Sequence, residues 1–220
     1  MKNQFFSKNN LKNLAKSIAK YAALFVVVFI IIFSLINWPA VSGNIKYFWQ
    51  NLTGKNKVKT QDEFLPQAES VKQPTVQEMN LVNNHIYIKK LNLDVPVVWD
   101  SPENQFLANL KYGVVHYQGT AKPGEKGNIF IAGHSSSYWW QRGPYSAIFS
   151  IIDKLTLGDE VLVTYNNRVY FYQVTEKFVV KPSQVEVMNP TPNPTLTLMT
   201  CVPVGTALNR LIVRASQVIP

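Results

Sequence analysis

Hydrophobic positions divide the chain into regions with different periodicity. Residues 21–36 are uncharged and almost wholly apolar, residues 43–80 are polar without a clear period, and after residue 81 short apolar runs recur between turn-forming residues. Alternating apolar and polar positions are typical of strands that bury one face. The pattern predicts a basic segment at 1–20, a membrane-spanning helix at 21–38, a linker or stalk at 39–80 and a folded domain at 81–220.

Short strands dominate the predicted domain. Pro96 favours an edge position for its strand, because proline cannot donate to a ladder. Asn166-Asn167 separates two alternating runs and predicts a hairpin, with residues 178–180 continuing its second strand or starting another. Residues 104–111 and 147–155 predict short helices. Many short strands with few helices indicate an all-β antiparallel sandwich or barrel, and the pattern alone does not choose between them. The predicted strands are 85–89, 95–99, 129–134, 161–165, 168–174, 195–200 and 209–215.

The apolar run is near the lower length limit for a helix that crosses a bilayer, which is about 17–25 residues. Tyr21 and Trp38 bracket the run, as aromatic residues often do at membrane interfaces. Five lysines precede it, which predicts an N-terminus in the cytoplasm and an extracellular domain. The alternative is a cleaved signal peptide, with a small-residue site at residues 40–42. We favour an uncleaved single-pass anchor, because the run is long for a signal peptide.

Charge and composition exclude several other functions. The formal net charge is +9, but the first 40 residues carry five lysines and no acid, so only +4 is spread over the remaining 180 residues. No basic helix or basic–aromatic repeat is present, which excludes a nucleic-acid footprint. One cysteine and three scattered histidines form no metal cluster, and the ten glycines form no phosphate-binding loop. We therefore expect no cofactor.

The single cysteine, Cys201, closes a strand in which threonine and leucine alternate. Successive side chains of a strand point to opposite faces, so Leu196 and Leu198 share the presumed core face. Thr197, Met199 and Cys201 share the other face, which offers the thiol at the end of a strand. The alternative is a buried thiol that acts as a small hydrophobe, as most free cysteines do.

Two further polar residues stand at strand ends. His134 ends the apolar run 128–133, and Arg210 opens the strand 209–215. The runs Thr197–Cys201 (TLMTC), Ala132–His134 (AGH) and Arg210–Val213 (RLIV) together resemble the sortases, cysteine transpeptidases that attach surface proteins to cell envelopes. Residues 113–120 also resemble the segment before the catalytic histidine strand of that family. The resemblance covers Asn84 to the C-terminus.

The resemblance implies a closed eight-stranded β-barrel and a transpeptidase of the class D/E kind, given Val202-Pro203 after the cysteine. It further implies that Cys201 attacks the Thr–Gly bond of an LPxTG-like sorting motif in a secreted protein. A thioester forms, His134 protonates the departing amine, and an amine of the cell wall or of a pilin resolves the thioester. The partners expected are secreted proteins with a C-terminal sorting signal, this amine acceptor and the membrane. Some sortases use calcium, but no acidic cluster here matches that site.

The chemistry of acyl transfer agrees with these three side chains. An ordinary thiol has a pKa near ~8.5, so Cys201 needs a base or positive neighbours to react as thiolate. A histidine can act as acid to a leaving amine, and a permanently charged arginine can stabilise an oxyanion. Thr200 is expected to help hold the substrate or the oxyanion.

The other histidines and arginines are weaker candidates. His85 is interpreted as a solvated surface residue and His116 as structural or supporting. Arg214 shares a strand face with Arg210 and is the runner-up. Arg142 and Arg168 fall in loop and turn contexts.

Two other functions fit the same residues: a cysteine peptidase with water as acceptor, and a non-catalytic envelope-binding module. Trp139 and Trp140, which follow His134, could equally form a wall of a substrate groove or cover the barrel end.

Overall fold

The computed structural model describes residues 8–36, 38, 42, 45, 48, 49, 74–136 and 143–218. The chain divides into two compact units, residues 1–38 and 39–220, which are described separately. The first contains one long helix, α1 (Lys8–Ile36), and the second contains a β-barrel. The predicted linker lies mostly outside the described residues, and the boundary at residue 81 stays a prediction.

Helix α1 is long and apolar enough to cross a membrane over residues Lys12–Ile36. Its side chains are exposed almost throughout, including the large apolar ones. A run of exposed aliphatic and phenylalanine side chains is unfavourable in water and stable in a hydrocarbon core. The helix is therefore consistent with a single-pass anchor, and it begins well before the predicted apolar segment.

Eight described strands form a closed barrel in the order β1-β2-β3-β4-β7-β8-β6-β5. This confirms the all-β closed barrel with short helices, including α2 (Glu103–Asn109). The strands are β1 (His85–Ile88), β2 (Leu93–Ser101), β3 (Val114–Tyr117), β4 (Asn128–Ala132), β5 (Glu160–Tyr165), β6 (Arg168–Val180), β7 (Thr195–Val202) and β8 (Asn209–Val218).

Alternation along the strands builds the core. Leu196 and Leu198 of β7 lie in the core, as predicted, together with alternate residues of β4 and β8. The opposite face of β7 is not simply exposed. Thr197 is fully buried there, because its hydroxyl donates to Asn128 Oδ1 at 2.6 Å and the connection between β6 and β7 covers both side chains.

The hairpin prediction is confirmed. Tyr165 of β5 pairs with Arg168 of β6 across a two-residue turn. Asn166 and Asn167 have φ of 49° and 62°, the left-handed conformation that tight hairpin turns require and that asparagine tolerates. Residues 178–180 continue β6, which is one of the two possibilities predicted for them.

Three details of the prediction are wrong. The sheet is mixed, because β2 pairs with β3 and β4 with β7 in parallel. Pro96 does not lie on an edge strand: β2 has a partner on both sides, and its ladder with β3 starts at Val97, so the missing N–H lies just outside it. Residues 147–155 form successive tight turns, with a 3-10 helix only at Ile152–Lys154. Their β-branched isoleucines disfavour a helix, and Phe149 packs into the core instead.

Candidate active site

Strand register places Cys201 and Arg210 side by side. Cys201 of β7 is directly opposite Arg210 of β8 in an antiparallel pair. Opposite residues in such a pair point to the same face with Cβ atoms about 4.5–5.5 Å apart. Leu198 and Leu211 point into the core, so alternation turns Cys201 and Arg210 to the outer face of the barrel end. Both are partly exposed.

His134 is held beside the same end of β7 by backbone contacts of its neighbour. The parallel register pairs Ala132 with Met199, and beyond it the Gly133 N–H donates to the Met199 carbonyl at 3.0 Å. The Thr200 hydroxyl donates to the Gly133 carbonyl at 2.9 Å. Continuation of this register brings His134 next to Cys201.

Gly133 is required for this approach. A Cβ built on Gly133 would lie 2.5 Å from Phe149 Cδ2, a distance that real Cβ atoms do not tolerate. Phe149 in turn donates its N–H to the His134 carbonyl at 2.9 Å. The histidine is thus fixed at its backbone from two sides, by β7 and by the turn at Phe149.

The imidazole of His134 makes no hydrogen bond with any residue in the described ranges 74–136 and 143–218. Burial lowers the pKa of His134 below its ordinary value, because the low-dielectric surroundings disfavour the charged ring. The neutral form therefore predominates at neutral pH, with both ring nitrogens free to act on a bound molecule.

Arg210 also lacks an acidic partner within the described part of the chain. Its Nη1 donates to the carbonyls of Ala207 and Asn209 at 3.1 and 3.2 Å, which fixes the guanidinium at the start of β8. Arg214, the alternative arginine, is occupied: it lies 3.4 Å from Glu176 Oε2, and its guanidinium is 5.3 Å from the centroid of the Phe178 ring. The unpaired guanidinium beside Cys201 is the one available to an oxyanion.

A cavity of about 170 Å³ opens beside Cys201. Apolar side chains form much of its wall, and the hydroxyl-bearing residues Ser135, Ser150 and Thr200 also line it. Neither His134 nor Arg210 is part of this wall. Cavity residues that the sequence did not single out are Phe149, Ser150, Asp153, Val204 and Leu211.

Thr200 and His116 lie in different places from those that a substrate contact would need. Thr200 is 2% exposed, and its hydroxyl hydrogen is already directed to Gly133. His116 is fully buried on β3 opposite Ile131, three residues before His134. The structure brings together Cys201, Arg210 and the backbone at His134, with Thr200 as the link between β4 and β7.

The hydrogen bonds of His116 are all internal. Nδ1 accepts from the Asp100 N–H at 3.2 Å, while Nε2 lies 2.9 Å from Thr120 Oγ1 and 3.0 Å from the Ala121 carbonyl. Burial lowers the pKa of His116, since desolvation outweighs the favourable contact with the Ala121 carbonyl. This neutral imidazole closes the turn after β3.

The remaining candidates carry less. His85 is partly exposed and pairs with Asp94 at 2.6 Å. Arg168 is exposed at the start of β6, in the hairpin. Trp139, Trp140 and Arg142 lie outside the described residues. Among the described residues no group of three or more acidic, histidine or cysteine side chains could hold a metal ion.

Comparisons with known proteins agree with this arrangement. A family model described as the sortase domain matches residues 86–218. Sortase A of Bacillus anthracis is 30% identical over 167 residues, 73% of this chain and 74% of that protein. The solved Clostridium perfringens sortase D5 transpeptidase has a TM-score of 0.52 at 26% identity and covers 77% of this chain and 94% of its own. Sortase E of Streptomyces avermitilis has a TM-score of 0.50 at 32% identity, over 61% and 86%.

Proposed function

We propose, from the premise that this chain belongs to the sortase family of cysteine transpeptidases, that Cys201, His134 and Arg210 carry out acyl transfer on a peptide. The observation that carries the proposal is the pairing of Cys201 with Arg210 on the outer face, with Gly133 tying His134 to the same end of β7. The similarity to sortases D and E agrees with the class D/E resemblance of the sequence.

In the proposed reaction the Cys201 thiolate attacks the carbonyl carbon of a Thr–Gly bond in an LPxTG-like sorting motif. Arg210 stabilises the negative charge that develops on the carbonyl oxygen. The C–N bond then breaks, the amine leaves with a proton from His134, and a thioester remains on Cys201. An amine of the envelope or of a pilin attacks the thioester, gives its proton to His134 and releases the thiolate.

Thr200 and His116 have positioning and structural roles in this proposal. Because the Thr200 hydroxyl holds the Gly133 carbonyl, it fixes the distance between the strands that carry Cys201 and His134. His116 is sealed inside the barrel and supports the turn after β3. The cavity beside Cys201 receives a substrate side chain close to the scissile bond.

Helix α1 supports a second part of the proposal: single-pass anchoring, with the N-terminus in the cytoplasm and the barrel outside. Carbonate extraction tests the anchor, and the protein should stay in the membrane pellet. A mature form that begins near Gly43 would show cleavage and reject the anchor.

Incubation of the enzyme with a sorting peptide and an amine nucleophile tests the reaction. A ligated product whose yield rises with amine concentration is expected. Hydrolysis unaffected by any amine would instead identify a cysteine peptidase. Biological function that survives Cys201→Ala would identify a non-catalytic envelope-binding module.

A further inference from the structure

The first turns of α1 carry a segregated surface that a spanning helix does not need. An α-helix advances about 100° per residue, so Lys12, Lys16 and Lys20 lie within an arc of about 80°. Asn13 and Ser17 continue the same polar side. Three cations and two neutral polar residues thus share one face.

The opposite face of the same turns is apolar. Leu14 and Ile18 lie four residues apart on it, each 60% exposed, with Tyr21 at its margin. Ala15 and Ala19 complete this side. Segregation into a lysine face and an apolar face is the pattern of helices that lie in the interface between water and lipid.

Helix length explains why this surface cannot simply point into water. The 29 residues of α1 span about 44 Å, whereas a bilayer's hydrocarbon core is about 30 Å thick. The uncharged residues 21–36 span only about 24 Å of it. If the helix ran straight along the bilayer normal, Leu14 and Ile18 would project beyond the hydrocarbon. A tilt or bend that lays their face on the membrane buries them and keeps the lysines at headgroup level.

We propose that residues 9–22 form an interfacial segment that binds anionic phospholipid headgroups through Lys12, Lys16 and Lys20. The inference rests on the proposed membrane anchoring of α1. Charge complementarity identifies the partner: the first 40 residues contain no acidic side chain, so nothing within this segment neutralises the lysines. Anionic lipid is the abundant negative partner at that depth of a membrane.

Native mass spectrometry of the full-length protein in neutral detergent tests the proposal. The protein is titrated with phosphatidylglycerol or with phosphatidylcholine of the same acyl chains. Phosphatidylglycerol should bind at least about tenfold more tightly. The variant K12Q/K16Q/K20Q should lose this preference. The matched variant K89Q/K111Q/K126Q removes the same charge from exposed lysines of the barrel and should keep it.

Equal binding of the two lipids by the wild type, or an unchanged preference in K12Q/K16Q/K20Q, would overturn the proposal. Equal binding would leave the lysine face to an acidic protein partner. Carbonate extraction of the same variant separates this result from the anchor itself. The variant should stay in the membrane pellet, because residues 21–36 are unchanged.

Discussion

His116 and His134 lie in neighbouring parts of the barrel wall, and burial lowers the pKa of both rings. At His116 both ring nitrogens have partners, and the side chain has no exposed surface. At His134 the backbone is fixed while the ring has no partner in the described ranges, and an unpaired arginine and the thiol lie at the same end. Similar burial thus serves structure where the hydrogen bonds are complete, and leaves a reactive group where they are open.

Exchange of the two histidines for glutamine should separate these regions most strongly. His134→Gln should lower kcat by about 10²–10⁴-fold, because the leaving amine loses its acid. Its unfolding free energy should change little. His116→Gln should keep kcat within a few-fold and lose about 1–3 kcal/mol of stability, because buried partners lose their hydrogen bonds. Turnover with a sorting peptide and urea unfolding measure both effects, and the reverse outcome would contradict the assignment.

The two arginines of β8 provide a similar comparison. Arg210→Lys should lower kcat by about 10²–10³-fold, since a lysine cannot reproduce the planar donor geometry beside Cys201. Arg214→Lys is the matched control on the same face, and its guanidinium already pairs with Glu176. It should leave kcat nearly unchanged. Equal losses in both variants would remove Arg210 from the reaction.

Gly133→Ala should test how tightly His134 is held. The new methyl group would lie 2.5 Å from Phe149 Cδ2, so the turn at Phe149 must shift. We expect a loss of about 1–3 kcal/mol in stability and a lower kcat. Gly143→Ala is the control, because a Cβ there meets nothing within 4 Å. Adding Phe149→Leu to Gly133→Ala should recover part of the activity; a fully active Gly133→Ala enzyme would show that the close approach is dispensable.

The pH dependence of stability should show the smallest effect. Because the pKa of His116 is lower in the folded chain, the unfolded chain binds more protons below about pH 6.5. The stability contribution is therefore present above that pH and lost as the pH falls towards the folded pKa. Urea unfolding between pH 7.5 and 5.5 should show decreasing stability. His116→Gln should flatten the slope, and an unchanged slope would show that His116 does not cause it.

The sequence predicted the components of the site better than their packing. Alternation in residues 195–200 was enough to turn Cys201 away from the core, and apolar runs located His134 and Arg210 at strand ends. Their convergence required the barrel register, which pairs β4 with β7 and β7 with β8. No local pattern encodes such pairing between residues about 70 positions apart. The resemblance to sortases supplied it.

The errors have the same origin. The burial of Thr197 depends on Asn128 and the β6–β7 connection, and Pro96 is accommodated because the ladder with β3 starts one residue later. The missing helix at 147–155 reflects Phe149, whose packing against Gly133 fixes a turn next to His134. Glycine before a candidate catalytic histidine was the available signal, but its partner lies in another element.

The central claim is that Cys201 carries the acyl group between two amines. Mass spectrometry of the enzyme mixed with a sorting peptide should show the added mass of the peptide's N-terminal fragment on the tryptic peptide containing Cys201. The adduct should disappear when an amine acceptor is added, and Cys201→Ala should form no adduct and lose at least about 10⁴-fold in turnover. Cleavage of the peptide by Cys201→Ala at the wild-type rate, or an acyl group attached elsewhere, would contradict the account.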